Sequence, residues 1–183
     1  HTHGGLDGNT NSGNNDFFLT KFNSLGDKLW TRQLGTPEVD YATSITLDTS
    51  NNIYVTGLTY GGFDGNSSSG GIDVFVIKYN SSGVKQWSKQ FGTTGQDDAR
   101  GVSVDLFGNV FVTGNTSGAI GPEYFGDQDM FLVKFNQDGS KLWSKQLGTL
   151  YYDSGMDLST DSLGNIFVGG VTKYGLDSYT PLG

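Results

Sequence analysis

Asp97-Asp98-Ala99-Arg100-Gly101-Val102-Ser103-Val104-Asp105-Leu106-Phe107-Gly108-Asn109-Val110-Phe111-Val112-Thr113-Gly114 decides the fold. It reads as a strand, a tight turn and a second strand. Small residues alternate along Ala99 to Asp105, and Gly108 falls where a hairpin demands positive φ. Val110 to Thr113 is β-branched and aromatic with little polar alternation, which predicts a strand buried on both faces. The segment Ala42 to Thr56 repeats this reading with Asn51 at the glycine position, and Asp161 to Gly169 repeats its second half.

Outward from that hairpin the whole chain is periodic. Trp30, Trp87 and Trp143 are separated by steps of 57 and 56 residues, and the same steps connect Asp16, Asp73 and Asp129, then Asp48, Asp105 and Asp161, then Gly57, Gly114 and Gly170. Four landmarks in one register define tandem repeats, with units at 16–72, 73–128 and 129–183. Each unit holds two further strand signals. Asp73-Val74-Phe75-Val76-Ile77-Lys78-Tyr79 is apolar on both sides until the lysine, and Ser81-Ser82-Gly83 turns it into the polar segment Lys85 to Phe91. Four antiparallel strands with doubly buried middle members describe a sheet packed between two like sheets, as in a β-propeller blade. The expected radial order runs from the Ala/Gly-rich strand innermost, through the Phe-Val and Asp-Phe strands, to the Trp strand outermost.

Residues 73–116 carry Asp73, Phe75, Val76, Lys78, Gly83, Trp87, Ser88, Gly92, Thr93, Asp97, Ala99, Gly101, Asp105, Gly108, Asn109, Phe111, Val112, Thr113 and Gly114. This pattern resembles the bacterial SBBP-type β-propeller repeat. The resemblance covers nearly the whole chain and implies an all-β propeller and a secreted or bacterial cell-surface setting, with no shared catalytic chemistry. The first unit departs from the pattern at Ser44 and Asn51, and the third at Asp157 and Gly169. The turn Gly139-Ser140-Lys141-Leu142-Trp143 also resembles the tryptophan-docking turn of quinoprotein propellers, where the ring is architectural.

Aligning the ends places His1 to Asp7 on Leu58 to Asp64, and Lys173 to Asp177 on Tyr60 to Asp64. The chain therefore opens on two outer strands and finishes on two inner ones. Three blade equivalents are expected: whole blades at Tyr41–Gly92 and Asp98–Gly148, between two half blades. Propellers close with roughly four to eight blades, so other blades of a longer chain, or a second copy exchanging strands, are expected to complete this one.

Composition excludes several functions. The net charge of −8 does not suit a nucleic-acid surface, which needs clustered cations against phosphates. With no cysteine there is neither a disulfide framework nor a thiolate metal site. No apolar run approaches the ~20 residues of a membrane-spanning helix, and no signal peptide opens the sequence, so a signal for export would lie upstream.

Candidate ligating residues cluster in the connections before the Asp-Phe strands. Asp7, Asn9 and Asn11 ahead of Asp16, and Asp64 and Asn66 ahead of Asp73, place oxygen side chains at positions one, three and five, a spacing that suits calcium. The same residues also favour Asx turns, and the third copy has Gly121 where the aspartate would stand. His1-Thr2-His3 behind a free amine would chelate copper or nickel. The recurring aspartates 40, 97 and 153 read as strand-end devices, since a catalytic pair need occur only once. The tryptophans read either as sugar-stacking platforms or as packing between blades. No nucleophile elbow or phosphate-cradling loop is present, and Glu38 and Glu123 are the only glutamates.

The reading is thus a non-enzymatic extracellular scaffold with no cofactor other than calcium. It engages a protein partner through variable loops, above all Gly118–Asp127 with Pro122, Tyr124 and Phe125. A carbohydrate-binding propeller is the alternative.

Overall fold

A computed structural model describes residues 5–173 and residue 176. Among these residues it contains twelve strands and one short 3-10 turn at Leu6–Gly8. Strands β1 (Phe17–Phe22) and β2 (Lys28–Leu34) form a two-stranded sheet. Strands β3 (Asp40–Leu47), β4 (Ile53–Thr59), β5 (Asp73–Tyr79) and β6 (Lys85–Phe91) form a four-stranded one in sequential order. The same order holds for β7 (Asp97–Val104), β8 (Val110–Thr116), β9 (Asp129–Phe135) and β10 (Lys141–Leu147). A last pair, β11 (Asp153–Thr160) and β12 (Ile166–Thr172), ends the series. These are two whole blades between an outer half and an inner half, as the repeat register predicts.

Local chemistry explains the hairpins. Asp48 Oδ1 accepts hydrogen bonds from the Ser50 and Asn52 amides, both at 2.9 Å, while Asn51 takes φ 59°. Asp105 and Asp161 build the same turn with Gly108 and Gly164 at φ 80° and 83°. On the outer side, Asn80 Oδ1 accepts from the Ser82 and Val84 amides at 3.0 and 2.9 Å, and Asn23 and Asn136 do likewise.

The core lies between successive sheets. Tyr54, Val74 and Val76 of one blade pack with Ala99, Val112, Phe131 and Val133 of the next. Phe17 and Leu19 of the outer half pack on Phe63, Phe75 and Ile77, where the Phe63 and Phe75 rings stack at 4.7 Å. Strands β4, β5 and β8 are buried almost throughout, whereas β6 and β10 are half-exposed. Strand β9 instead alternates between buried and half-buried positions, because its outward face meets only the two-stranded β11–β12 sheet.

Trp30 and Trp87 each tie their blade to the next one. Trp87 Nε1 donates to the Gln137 carbonyl at 3.0 Å, and its ring lies edge-on to Tyr54 with centroids 6.1 Å apart. The ring also covers Gly139, where a Cβ would approach it to 3.0 Å. The Trp30 and Trp87 rings are therefore packed between blades, with one face of each committed.

Candidate functional site

One glutamine in each repeat locks the connecting loop to its sheet. Gln90 Oε1 accepts from the Phe63 amide at 2.7 Å, and its Nε2 donates to the Gly61 carbonyl at 3.0 Å and to Asp73 Oδ2 at 2.7 Å. Gln146 holds Ile120, Gly118 and Asp129 in the same way, and Gln33 holds Leu6 and Asp16. The sequence reading passed over these glutamines as part of a polar outer strand. Their recurrence at 33, 90 and 146, in step with the tryptophans, was the available signal.

Behind the glutamine sit paired carboxylates. Asp73 and Asp97 are both fully buried. Asp97 Oδ2 accepts from the Thr93 amide at 2.5 Å and from its hydroxyl at 3.1 Å, while Oδ1 accepts from the Thr116 hydroxyl. Burial pushes the Asp97 carboxyl above its ordinary range, and the neighbouring Asp73 carboxylate adds to the rise against the lowering effect of the threonine bonds. Asp40 is raised likewise, by burial first, with Asp16 contributing in the same sense.

Gly92 permits this pairing. A Cβ there would sit 2.2 Å from Asp73 Oδ1 and 2.8 Å from Asp97 Oδ2. Gly35 occupies the same place between Asp16 and Asp40, and Gly148 lies against Asp129. The Oδ1 atoms of Asp16, Asp73 and Asp129 have no hydrogen-bond donor and face the glycine Cα–H, a weak donor. At Asp73, Asp97 and Asp129 the side chains are closed to solvent, each being 0% exposed. Beside these carboxylates a parallel backbone bridge between Ile72 and Gln96, with the Asp97 amide donating to the Ile72 carbonyl at 2.9 Å, ties one blade's third strand to the next blade's first.

The residues proposed for calcium take local partners. Asp7 adopts φ 54°, and its carboxylate receives Lys28 Nζ at 2.5 Å and the Thr31 hydroxyl at 2.6 Å. Lys28 and Thr31 hold the Asp7 carboxyl below the usual carboxylate range. Asp64 repeats the arrangement with Lys85 and Ser88. Asn9 and Asn66 donate to the Leu6 and Phe63 carbonyls at 2.6 and 2.8 Å, closing turns. Asn11 accepts from the Gly13 amide at 3.0 Å. Asp16 and Asp73 face the junction glutamines. Among the described residues, no three acidic or histidine side chains gather into a metal-binding group. His1 and His3 lie outside the described residues.

The third connection departs most from its siblings. The Ile120 and Gly121 amides share Gln146 Oε1 at 3.0 Å each, which anchors its start, and the Phe125 amide donates to Asp129 Oδ2 at 2.8 Å, which anchors its end. Between those anchors Pro122, Glu123 and Tyr124 are exposed and Phe125 is half-buried. A separate polar recess of about 210 Å³ opens between the inner turns of successive blades, lined by Asp48, Ser50, Asn52, Lys78, Phe107 and Gln137.

A family model described as a beta-propeller repeat, SBBP, matches residues 29–64, 86–122 and 142–174. The chain is 27% identical over 169 residues to the regulatory protein FlaEY of Caulobacter vibrioides, covering 84% of this chain and 18% of that protein. It is 26% identical over 176 residues to an uncharacterized WD repeat-containing protein, L264, of Acanthamoeba polyphaga mimivirus, covering 87% of this chain and 11% of that protein. It thus spans less than a fifth of either relative's length. A crystal structure of a protein of unknown function from Bacteroides caccae aligns with a TM-score of 0.49 at 10% identity, over 85% of this chain and 50% of that one.

Proposed function

The chain belongs to the SBBP β-propeller repeat family, and from that premise we propose that it is a non-enzymatic, extracellular interaction scaffold whose connecting loops contact a protein partner. The observation that carries this reading is the contrast between frame and loops. Every recurring carboxylate has a structural assignment at a junction or turn, while the loop at 118–127 shares its anchors with its siblings and none of its exposed side chains. A rigid frame with one divergent, aromatic-bearing loop is where recognition energy concentrates. One relative is described as a WD repeat-containing protein, which is consistent with a repeat scaffold. A secreted or surface location is part of the proposal and rests on the family resemblance.

A photo-crosslinking residue at Tyr124, compared with one at Val84 on an exposed outer turn, tests the reading. The expected result is a discrete protein adduct from Tyr124 alone in cells that carry the native gene. Equal labelling from both sites would overturn it. The polar recess beside the exposed Phe107 supports a second reading, a carbohydrate site. Glycan-array binding abolished by Phe107→Ala, without a Tyr124 adduct, would replace the first reading by the second.

A further inference from the structure

We infer that the divergent loop at 118–127 is one half of a recognition surface whose other half is the crossover turn at 149–152, and that this surface takes an extended, arginine-bearing segment of a protein partner. The inference rests on the scaffold reading and deepens it, by assigning a second contact element and the chemistry of what it binds.

The crossover turns recur with the blades. Thr36, Thr93 and Thr149 share one repeat position and are followed by Pro37-Glu38, Thr94-Gly95 and Leu150-Tyr151. All three turns are built alike. The threonine amide donates to the aspartate that opens the next strand, at 2.6, 2.5 and 2.6 Å. Its hydroxyl accepts from the amide two residues on, at 3.2, 3.1 and 3.2 Å. These bonds use the threonine and the backbone, so the residues at the tip are free to vary. Pro37, Glu38 and Thr94 are exposed with the connections at 60–72 and 117–128 in place, so exposure belongs to the position. At the third turn that position presents Leu150, 76% exposed, and Tyr151, 47% exposed.

Loop and turn are joined. The Asp153 amide donates to the Gln128 carbonyl at 2.7 Å, beside a parallel bridge between Gln128 and Tyr152. Gly126 lies directly against the turn, since a Cβ there would come within 2.5 Å of Leu150 Cα. Tyr124, 48% exposed, precedes that contact by two residues. Two departures of the third unit from its siblings therefore meet, and each brings large side chains to the surface. A surface held in place by backbone bonds has little order left to gain on binding.

Charge identifies the partner. The sibling connections carry one aspartate each, Asp7 and Asp64, and each is neutralised by a lysine of its own blade, Lys28 and Lys85. The third carries Glu123 and Asp127, both exposed, and neither forms an ion pair among the described residues. Tyr151 already carries a cation, the Lys173 ammonium 5.8 Å from its ring centroid, which leaves Tyr124 for an arriving one. Arginine meets both demands, because its guanidinium stacks on a tyrosine face within about 6 Å and pairs with a carboxylate through two hydrogen bonds. The lysine ammonium is more strongly hydrated and gains less from a ring.

Photo-crosslinking residues at Leu150 and, as control, at Thr94 on the sibling turn extend the Tyr124 experiment. The Leu150 site should give the same adduct as Tyr124, and the Thr94 site none. Leu150→Thr with Tyr151→Gly rebuilds the sibling tip without changing charge. It should cut the Tyr124 adduct roughly tenfold or more while circular dichroism stays unchanged. A fluorescein-labelled peptide of alternating arginine and glycine probes the chemistry on the purified chain. It should bind more tightly than the matching lysine-glycine peptide and lose roughly tenfold in affinity on Glu123→Gln with Asp127→Asn. Glu38→Gln with Asp138→Asn removes as much charge at other exposed positions and should leave binding within about twofold. Equal losses from the two charge variants, or equal binding of the lysine peptide, would overturn the arginine assignment. An adduct at Tyr124 that Leu150 does not share would overturn the composite surface and leave the scaffold reading standing. Absence of any Tyr124 adduct would take both down.

Discussion

Gly92→Ala should destabilise the fold by about 3 kcal/mol or more, although it adds one methyl group to a residue outside the hairpin turns. The added Cβ would lie 2.2 Å from Asp73 Oδ1 and 2.8 Å from Asp97 Oδ2. Relief requires the Asp73 carboxylate to retreat by about 1 Å, because non-bonded carbon and oxygen approach to roughly 3.2 Å at closest, in a core packed at crystal-like density. Asp73 Oδ2 accepts from Gln90 Nε2 and the Ser69 amide, each at 2.7 Å, and both bonds stretch in that movement. Overpacking costs about 1–3 kcal/mol, and weakening a buried hydrogen bond to a charged group about 1.5–3 kcal/mol. For a chain of this length, ~3 kcal/mol corresponds to roughly 6–12 °C in Tm. Gly169→Ala in β12 is the control, since nothing lies within 4 Å of its Cβ position, and it should fall within about 0.5 kcal/mol of the parent. Thermal and urea melts of both variants decide the matter. Equal stability of Gly92→Ala and Gly169→Ala would refute the paired-carboxylate junction.

Three further outcomes follow from the same geometry. Gln90→Leu leaves the Phe63 amide and Asp73 Oδ2 without their shared partner, and should cost about 2–4 kcal/mol in a urea melt, with the loop at 61–72 becoming the first site of proteolysis. The pH profile should have two limbs. Asp40 and Asp97 hold a proton more tightly in the fold than their ordinary value of 3.8 allows unfolded, so their contribution to stability rises as pH falls from neutral through the folded values toward 3.8. Asp7, Asp48 and Asp161 are lowered, so what they contribute is present above 3.8 and is lost as pH falls through their folded values. Denaturation midpoints measured between neutrality and pH 2 should therefore pass through a maximum in the acid range, and a monotonic fall from neutrality would contradict this. Calcium at the Asp7 and Asp64 loops would have to displace Lys28 and Lys85. Calorimetric titration of the chelated chain should show no saturable heat at micromolar calcium, and a saturating isotherm would restore the cation reading of those loops.

Strand order, turn residues and unclosed halves were legible because each is a local consequence of a repeated pattern. Asp105 and Gly108 specify a hairpin whatever surrounds them, and Trp87 at a fixed step from Trp143 reports a common packing position. The junction was not legible in the same way. Gln90 and Asp73 are 17 residues apart and meet only because β5 and β6 pair in antiparallel register. Asp97 joins them from the next blade, across a contact that no single-strand pattern encodes. The oxygen spacing around Asp7 suits both an Asx turn and a cation loop, because the two draw on the same short polar side chains. Lys28, which pairs with the Asp7 carboxylate, lies 21 residues on, beyond the reach of any loop-length pattern.

Amide hydrogen exchange across the chain tests the central claim most directly, namely that the sheets are stacked blades with their cores between them. Strands β4, β5 and β8 are predicted to exchange slowest, at rates set by global unfolding, and the tryptophan strands β2, β6 and β10 markedly faster. Protection in β6 and β10 equal to or above that of β4 and β8 would contradict the blade order and the account built on it.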